Sequence, residues 1–354
     1  MKKLVKLFLI PWALLWEAYY WLRRYLYTYD FISSTALSLP IISIGNLSFG
    51  GSGKTPFTLW LAQYFENANK DVLILMRGYK GALENSRGLL QAGKKLGHNP
   101  QIFGDEAVLF SRRLKNASVV VGKKRTENLL HYLDQLRPDV VLLDDGHQHL
   151  KLKRSLNIVL FDATMELPRY QVAPLGYLRE GLSALKDADA VVIGRVDQVS
   201  ENQVTELKKM LAPYLSSLIP IAEIIYRPVR LLSTNYQEVY AYADFAVQLK
   251  NKKVVALAGI ASPDSFFKTL KGLGMDVILE ESFPDHHEFK PEEIARLIEK
   301  AELEDALVIT TEKDIVKIRR LFDSPRILFL EIAIQFVEGE EALLNLVQKT
   351  MDVV

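Results

Sequence analysis

The sequence feature that most constrains the fold is a glycine-rich run at residues 48–55, which reads Ser-Phe-Gly-Gly-Ser-Gly-Lys-Thr. Residues 40–44, just before it, are apolar and rich in β-branched side chains, as in a buried strand. Apolar residues then recur with a helical period over residues 56–69. A strand, a glycine loop, Lys-Thr and a helix together are the setting of a phosphate-binding P-loop. The sequence therefore predicts a site for a nucleoside triphosphate, with a chance glycine turn as the alternative.

In such a loop the glycines let backbone N–H groups point at phosphate oxygens, and the helix N-terminus adds the positive end of its dipole. Lys54 would reach the β- and γ-phosphates, and the Thr55 hydroxyl would ligate Mg²⁺. Ser48 stands where the strict pattern has a glycine. The predicted nucleotide contacts are Gly50, Gly51, Ser52, Gly53, Lys54 and Thr55.

The first thirty residues are unusually aromatic and basic. They hold three of the four tryptophans, several tyrosines and the cations Lys2, Lys3, Lys6, Arg23 and Arg24. The apolar stretch over residues 7–22 is interrupted by Pro11 and Glu17, and it is shorter than the ~20 residues that a spanning helix needs. Aromatic side chains flanked by cations are typical of a helix lying in a membrane interface. We predict such a helix here; a helix packed on its own domain and a single span are the alternatives.

Length and composition set the outer bounds. A chain of 354 residues exceeds the size at which a single core stops growing, so we expect more than one domain. A net charge of +1, with no basic cluster beyond the N-terminus, argues against a nucleic-acid partner. No feature indicates an obligate protein partner. The absence of cysteine excludes disulfides, thiol nucleophiles and thiolate metal sites.

The predicted fold class is α/β. Continuous apolar runs at residues 140–143 and 158–161 indicate a parallel sheet that is buried on both faces. Strand and helix patterns alternate, loosen over residues 216–249 into short strand-like pieces that suit a connection, and resume from residue 253. We therefore predict a membrane-interface helix at residues 1–30, a P-loop NTPase-type parallel-sheet domain at 31–235, and a smaller C-terminal α/β domain at 236–354 that closes over the active site.

Two carboxylates, Asp144 and Asp145, end the apolar run at residues 140–143. An acid at the end of such a strand holds Mg²⁺ in P-loop enzymes, directly or through water. The pattern does not decide which aspartate contacts the metal, and a plain strand-to-turn junction is the alternative. His147 and His149 follow on an irregular segment, a spacing that gives only weak support for a transition-metal site.

Other acid, histidine and arginine motifs offer chemistry for group transfer. Asp105 precedes a predicted helix at residues 107–114. It would serve either as a helix cap or as a general base for an attacking hydroxyl. A histidine beside Asp285, either His286 or His287, would orient a carboxylate across a domain cleft or change its protonation. The alternative is a histidine in a solvated loop. Arginines in three basic loops would clamp phosphates or serve as ordinary surface charge: Arg77, Arg125 and Arg179.

The motifs, taken in order, resemble the tetraacyldisaccharide 4'-kinase family, the lipid A 4'-kinases, over nearly the whole chain. The resemblance rests most specifically on the Asn46-Leu47 prefix of the P-loop, on Asp144-Asp145-Gly146 with Gln148-His149, and on Leu178-Arg179-Glu180. The remaining matches are Arg77-Gly78-Tyr79, Gly104-Asp105-Glu106, Pro174, Gly176, Asp285-His286 and Thr311-Glu312-Lys313-Asp314.

The resemblance implies transfer of the γ-phosphoryl group of ATP to the 4'-hydroxyl of a tetraacyl glucosamine disaccharide 1-phosphate, at the cytoplasmic face of the inner membrane, by a peripheral or monotopic enzyme. It implies ATP and Mg²⁺ as cofactors and the lipid disaccharide as partner. Asp105 would be the base, assisted by His286, while Lys54 holds phosphate and Thr55, Asp144 and Asp145 surround the metal. The implied acceptor-site residues are Arg77, Arg125, Gln148, His149, Arg179 and Glu180.

Two other protein classes fit parts of the pattern. In a regulatory GTPase, residues 311–314 would replace a guanine-reading Asn-Lys-x-Asp, although Glu312 occupies the Asn position. A membrane-site ATPase of the partitioning type carries an extra lysine early in its P-loop, where this chain has Ser48 and Phe49. The chain also departs from the kinase family's pattern, and these departures concern the acceptor headgroup and acyl chains: Ala107, His147, Leu175, Tyr177 and Gly181.

Overall fold

A computed structural model describes residues 2–93, 98–216 and 218–352 of the chain. The side chains of residues 2–6 and 246 lie outside the description. The predicted role of Lys2, Lys3 and Lys6 at a membrane surface therefore concerns side chains that the structure does not describe.

Helices and strands alternate along most of the chain. The α-helices are α1 (Lys2–Thr28), α2 (Lys54–Asn67), α3 (Pro100–Phe103), α4 (Asp105–Arg113), α5 (Arg125–Leu136), α6 (Glu201–Leu211), α7 (Tyr242–Gln248), α8 (Pro263–Gly272), α9 (Pro291–Leu303), α10 (Glu312–Ile318) and α11 (Glu340–Asp352). The strands are β1 (Ile41–Asn46), β2 (Val72–Met76), β3 (Gly88–Gln91), β4 (Ser118–Val121), β5 (Val140–Asp144), β6 (Leu156–Asp162), β7 (Ala190–Gly194), β8 (Ile221–Ser233), β9 (Glu238–Ala241), β10 (Lys253–Ala258), β11 (Asp276–Ser282), β12 (Leu307–Thr311) and β13 (Ile327–Glu338).

All of these strands belong to one sheet, in the order β11-β10-β12-β13-β8-β7-β6-β1-β5-β2-β4-β3, with β9 paired to β8. Neighbours run parallel except in the pairs β3–β4, β8–β9 and β8–β13. Parallel neighbours need helical crossovers, which cover both faces of the sheet and leave β1 and β5 fully buried. The predicted α/β class with a mostly parallel sheet is confirmed.

The segment over residues 216–249, predicted as short strand-like pieces that form a connection, does contain strands, but the first of them is long and central to the sheet. That segment contains β8, a strand of 13 residues that pairs with β13 over most of its length. The apolar pattern of β8 is broken by Arg227, Pro228 and Arg230, and the pairing shifts register between Glu331 and Ile332, beside Pro228. Proline removes a ladder donor and is found in strands mainly at such irregularities. The β8–β13 pair joins the two groups of parallel strands into a continuous sheet.

Strand order also fixes where the P-loop lies. β1 and β5 are parallel neighbours, and Ile44 pairs with Asp144 in their register. The loop after β1 and the carboxylates at the end of β5 therefore meet at the same edge of the sheet. Ligands of open α/β sheets bind at this carboxyl edge, which places the predicted nucleotide site there.

The N-terminal helix α1 presents much of its surface to solvent. Its exposed apolar side chains are Leu7, Phe8, Ile10, Trp12, Leu14, Leu15, Trp16, Tyr19, Trp21, Leu22 and Tyr25. Within the described parts of the chain, no helix combines the length and the apolar character that crossing a membrane requires.

Candidate active site

A cavity of about 760 Å³ opens above the P-loop. Its walls include residues 50–55, the ends of β2 and β5, and residues 260–269 and 311–313 from the other group of strands. Both groups of parallel strands therefore contribute to one site. Its lining is mixed, with aliphatic, aromatic and charged side chains, as expected of a pocket for a nucleotide.

Gly53 is required by the geometry of the P-loop. Its φ is +84°, in the left-handed region, and it caps the N-terminus of α2. A Cβ at this position would lie 1.6 Å from the Tyr226 hydroxyl oxygen of β8. The Arg195 guanidinium lies 5.4 Å from the Tyr226 ring centroid and donates to the Gly51 carbonyl at 3.2 Å. The P-loop is thus packed against β8, the strand that joins the two halves of the sheet.

Lys54 and Arg179 both contact Asp145. The Lys54 Nζ lies 3.5 Å from Asp145 Oδ1, and Arg179 donates to Asp145 Oδ2 at 2.9 Å. Burial would raise the pKa of Asp145, but the charges of Lys54 and Arg179 outweigh that effect and hold this pKa well below its ordinary value. Asp145 is therefore an anion that positions the P-loop lysine at the cavity wall.

Asp144 lies deeper, among groups suited to a hard cation. It accepts a hydrogen bond from Thr58 Oγ1 at 2.9 Å, while Thr55 Oγ1 donates to Glu106 Oε1 at 3.2 Å. Burial, followed by the charges of Glu106 and Asp145, raises the pKa of Asp144. Crowding of carboxylates in a buried site favours a bound cation, which would relieve their repulsion.

This donor set fits Mg²⁺. In the described part of the chain, no three His, Cys, Asp or Glu side chains converge as a ready-made metal cluster. Mg²⁺ does not need one, because it keeps several waters and is usually held by one or two carboxylates together with substrate phosphates. The Thr55 hydroxyl and the Asp144 carboxylate supply the oxygen ligands that such an ion prefers.

Asp105 and His286 meet although 181 residues separate them. Asp105 begins α4, and the His286 Nδ1 lies 3.2 Å and 3.1 Å from its two carboxylate oxygens. His286 has φ +59°, a conformation that non-glycine residues rarely adopt and that is often found at functional sites. His287 instead contacts Glu293 at 2.9 Å and stacks on Phe283. Of the two neighbouring histidines, only His286 contacts Asp105.

The Asp105–His286 pair lies between two cavities. His286 lines both the large cavity and a smaller one of about 240 Å³, whereas Asp105 lines only the smaller one. Burial would raise the pKa of Asp105, but the His286 hydrogen bond and the charges of Lys313 and Lys317 hold it well below its ordinary value. Asp105 is therefore a carboxylate that accepts hydrogen bonds.

The predicted acceptor-site residues fall into two groups. Arg77 and Arg179 line the large cavity, whereas Arg125, Gln148, His149 and Glu180 are not among its lining residues. Arg125 donates to the backbone carbonyls of Asp144 and Asp145 at 2.9 Å and 3.0 Å.

The other three members of the second group also bond within the protein. Gln148 donates to the Asn46 carbonyl at 2.9 Å, and Arg24 donates to Glu180 at 2.6 Å. His149 lies 3.0 Å from Thr126 Oγ1, and burial together with Arg125 lowers the pKa of His149 to about 3. These side chains hold the loops that border the P-loop.

Helix α1 is bonded directly to these loops. Trp16 Nε1 donates to the Arg179 carbonyl at 2.8 Å, and Arg23 donates to the Gln148 carbonyl at 3.0 Å. Arg24 forms ion pairs with Glu180 and Asp187. The Arg24 and Glu180 side chains are 11% and 2% exposed, so the two form a buried ion pair. The N-terminal helix thus supports the segment that carries Arg179.

We expect the Arg24→Met variant to be destabilised by ~3 kcal/mol, because it leaves the buried Glu180 carboxylate without its partner. Urea unfolding followed by circular dichroism measures this loss. The double variant Arg24→Met/Glu180→Gln removes the orphaned charge and should recover part of the stability. A loss below ~1 kcal/mol in the single variant would show that the pair behaves like an exposed ion pair.

Comparison with known proteins identifies the family. A family model described as tetraacyldisaccharide-1-P 4'-kinase matches residues 5–352. The chain belongs to this kinase family. Membership makes it a phosphotransferase of lipid A biosynthesis, which favours the kinase over the GTPase and ATPase alternatives.

Individual relatives agree over most of the chain. The tetraacyldisaccharide 4'-kinase of Pelobacter propionicus is 32% identical over 350 residues, covering 96% of this chain and 92% of the relative. That of Halothermothrix orenii is 30% identical, covering 84% and 79%. The crystal structure of LpxK from Aquifex aeolicus in complex with ATP shares 32% identity and a TM-score of 0.75, covering 97% of this chain and 98% of that one. This similarity shows a shared fold over nearly the entire kinase.

Of the departures from the kinase family's pattern, one is a buried residue of α4, Ala107, and the others lie in loops: His147, Leu175, Tyr177 and Gly181. His147 is fully buried and lies 3.1 Å from the Asn157 amide nitrogen, as a core residue. A Cβ at Gly181 would lie 2.1 Å from a carboxylate oxygen of Glu17 in α1. The Glu17 side chain of α1 therefore packs directly against position 181.

The sequence motifs predicted no chemical role for Lys313, Lys317 or Glu106. Lys313 Nζ lies 3.0 Å from Asp285 Oδ1, 3.1 Å from His286 Nε2 and 3.4 Å from Glu106 Oε1. Lys317 Nζ lies 3.3 Å from Asp105 Oδ2. The two lysines are four residues apart, which places them on one face of a helix. That spacing was visible in the sequence, but the carboxylates that this face would meet were not.

Proposed function

We propose that this kinase transfers the γ-phosphoryl group of ATP to the 4'-hydroxyl of a tetraacyl glucosamine disaccharide 1-phosphate. The observation that carries the proposal is the convergence of the P-loop, the Asp144–Asp145 carboxylates and the Asp105–His286 pair on two adjoining cavities. Phosphoryl transfer needs these three parts: a phosphate cradle, a site for the metal, and a group that orients the attacking hydroxyl.

Residues 50–55 would bind the phosphates of ATP through backbone N–H groups, and Lys54 would neutralise their charge. Thr55 and Asp144 would hold Mg²⁺, with Asp145 positioning Lys54 and Arg179. When bound, Mg²⁺ supplies charge neutralisation at the β- and γ-phosphate oxygens. The apolar part of the cavity, including Trp60 and Phe266, offers surface for a nucleobase.

Asp105 would orient the acceptor hydroxyl and accept its proton. A carboxylate with a lowered pKa is a weak base, but a loose phosphoryl-transfer transition state requires little deprotonation of the nucleophile before the new P–O bond forms. Orientation is then the larger contribution, and a fixed carboxylate supplies it. His286 would hold Asp105 in place through its hydrogen bond.

The acceptor headgroup would lie beside Arg77 and Arg179, whose guanidinium groups suit phosphate and sugar oxygens. Arg125, Gln148, His149 and Glu180 would support this site through the loops that they hold. We propose all six as residues of the acceptor site.

The division at residue 235 is proposed as a functional boundary within the continuous sheet. Contacts across it support closure of residues 236–354 over residues 31–235. Arg113 donates to both oxygens of Glu312 at 2.7 Å, and the Lys317–Asp105 and Lys313–Glu106 pairs lie nearby. Closure of this kind excludes water, which would otherwise hydrolyse the γ-phosphate.

We further propose that α1 lies in the membrane interface at the cytoplasmic face, as a peripheral or monotopic anchor. Its exposed aromatic and aliphatic side chains are the composition of such helices. The bonds from α1 to the segment around Arg179 would then hold the acceptor site at the membrane surface, where the lipid can react without leaving the bilayer.

We expect the double variant Trp12→Ser/Leu15→Ser to bind anionic vesicles at least ~10-fold more weakly, because two large apolar side chains no longer leave water. These side chains are 66% and 64% exposed, so the fold should be retained. Sedimentation with phosphatidylglycerol vesicles measures binding. The control is Leu303→Ser on α9, where the side chain is 79% exposed. Equal binding by the double variant and the control would contradict an interfacial α1.

The proposed function is tested with purified protein, γ-labelled ATP, Mg²⁺ and a tetraacyl disaccharide 1-phosphate in detergent. Label in the lipid is the expected result. Label found only as free phosphate, at the same rate with and without the lipid, would overturn the proposal.

A further inference from the structure

The Lys313 ammonium lies at the centre of a buried charged cluster. Its three closest polar partners are Asp285, His286 and Glu106, and its side chain is only 18% exposed. Burial would lower the pKa of Lys313, but the carboxylates of Glu106, Asp105 and Asp285 outweigh that effect and raise it. Lys313 therefore carries a full positive charge and three N–H donors.

The contact between Lys313 and His286 decides which imidazole nitrogen carries a proton. Lysine has donors and no acceptor, so the His286 Nε2, 3.1 Å away, must accept. Asp285 Oδ2 lies 3.8 Å from the same Nε2, too far for a hydrogen bond. A neutral imidazole that accepts at Nε2 has its proton on Nδ1, which faces Asp105 at 3.1 Å.

The opposite tautomer would make an unfavourable contact at each ring nitrogen. A proton on Nε2 would point at the Lys313 ammonium, and the bare Nδ1 would face the Asp105 carboxylate, placing two acceptors together. The other groups that face His286 do not reverse this preference. The Tyr79 ring packs edge-on at 5.1 Å, and Lys80 donates to the His286 backbone carbonyl at 3.3 Å.

We propose that Lys313 is a positioning residue that fixes His286 as the neutral Nδ1–H tautomer and thereby keeps Asp105 oriented toward the acceptor hydroxyl. This inference rests on the proposed role of Asp105 and adds separate roles for Asp105 and His286. Asp105 receives the proton of the acceptor hydroxyl as the new oxygen–phosphorus bond forms, while the bond from the γ-phosphorus to the β–γ bridging oxygen breaks and ADP leaves. His286 donates to Asp105 and does not take that proton, because its second nitrogen is occupied by Lys313.

Removing the Lys313 ammonium should remove the constraint on the tautomer of His286. In Lys313→Met the chain length is kept and the three donors are lost, so Nε2 becomes free to be protonated beside Asp285. The Nε2–H tautomer of His286 is then no longer excluded. Because Asp105 itself remains, we expect turnover to fall by ~10–100-fold, less than the ~10⁴-fold known for a wrong tautomer in a hydrolase triad.

The experiment uses the full chain with ¹⁵N-labelled histidine. The sequence has six histidines, and subtraction of the His286→Gln spectrum identifies the ring signals of His286. We expect protonated Nδ1 and unprotonated Nε2 in the unsubstituted protein, a changed protonation pattern in Lys313→Met, and the original pattern with partial recovery of turnover in Lys313→Arg. The exposed Lys70→Met is the control for loss of a lysine charge.

Two results would overturn the proposal: a proton on Nε2 in the unsubstituted protein, or an unchanged Nδ1–H pattern in Lys313→Met whatever its turnover. If Lys313→Met does not fold, the spectra of the unsubstituted protein and of Lys313→Arg still decide the tautomer. The ring spectra need no lipid acceptor. A failure of lipid phosphorylation would therefore be distinguishable from a failure of this inference.

Discussion

The Lys54→Met variant should lose phosphoryl transfer by ~10³-fold or more, because a preorganised cationic donor at the transferring phosphate is removed without replacement. ATP affinity should fall as well, since Lys54 would contact the β- and γ-phosphates in the ground state. Transfer of label from γ-labelled ATP to the lipid measures the first effect, and titration with ATP measures the second.

The fold should survive this change. Asp145 loses one cationic partner in this variant but keeps the hydrogen-bonded Arg179 guanidinium at 2.9 Å, so its carboxylate is not left unpaired. Lys70→Met, just beyond α2, is the matched control and should retain full activity because its side chain is exposed. Transfer by Lys54→Met within ~10-fold of the unsubstituted protein would exclude a P-loop role for this lysine.

The Asp105→Asn variant should lower turnover by ~10²–10⁴-fold, the range for a positioned acid–base group. The amide keeps the size of the carboxylate but cannot accept the hydroxyl proton. ATP affinity should change by less than ~3-fold, because Asp105 does not line the large cavity that holds the P-loop. Single-turnover transfer and ATP titration separate the two effects.

The exposed Asp276→Asn on β11 is the control for loss of an aspartate charge. Thermal melting is needed beside the kinetics, since Lys317 and His286 lose an anionic partner in the Asp105 variant. Undiminished turnover in a folded Asp105→Asn protein would remove Asp105 from the mechanism. Loss of ATP affinity in proportion to turnover would instead place Asp105 in the nucleotide site.

The two variants also distinguish the halves of the site. Lys54→Met should weaken both ATP binding and transfer, whereas Asp105→Asn should affect transfer alone. Lys54 begins α2, directly after the P-loop. Asp105 contacts His286, in the loop between β11 and α9, and Lys317, in α10. Because Lys54 lies in the nucleotide site and Asp105 lies outside it, we expect only the Lys54 variant to bind ATP more weakly.

Several parts of the fold could be predicted from local sequence. The apolar runs at residues 140–143 and 158–161 lie within β5 and β6, because a strand buried on both faces requires a continuous apolar segment. The P-loop and α2 follow from glycine, lysine and helical periodicity within twenty residues. The carboxylates at the end of β5 were also predictable, since they directly follow the apolar run.

Other parts were not readable in this way. β8 carries charged and proline residues because it lies where two parallel groups join, so its pattern matches no simple period. The bonds of Trp16, Arg23 and Arg24 to loops more than 120 residues away had no local signal.

The sequence by itself determined the α/β class, the P-loop and the order of motifs that mark the kinase family, because each depends on residues close together in the chain. Only the tertiary structure decided that His286 rather than His287 contacts Asp105, and that Lys313 contacts the far side of the His286 ring. These contacts depend on how the strands and helices of the two halves pack across the β8–β13 pair. Packing between segments some 200 residues apart is set by the whole sheet and not by any stretch of sequence.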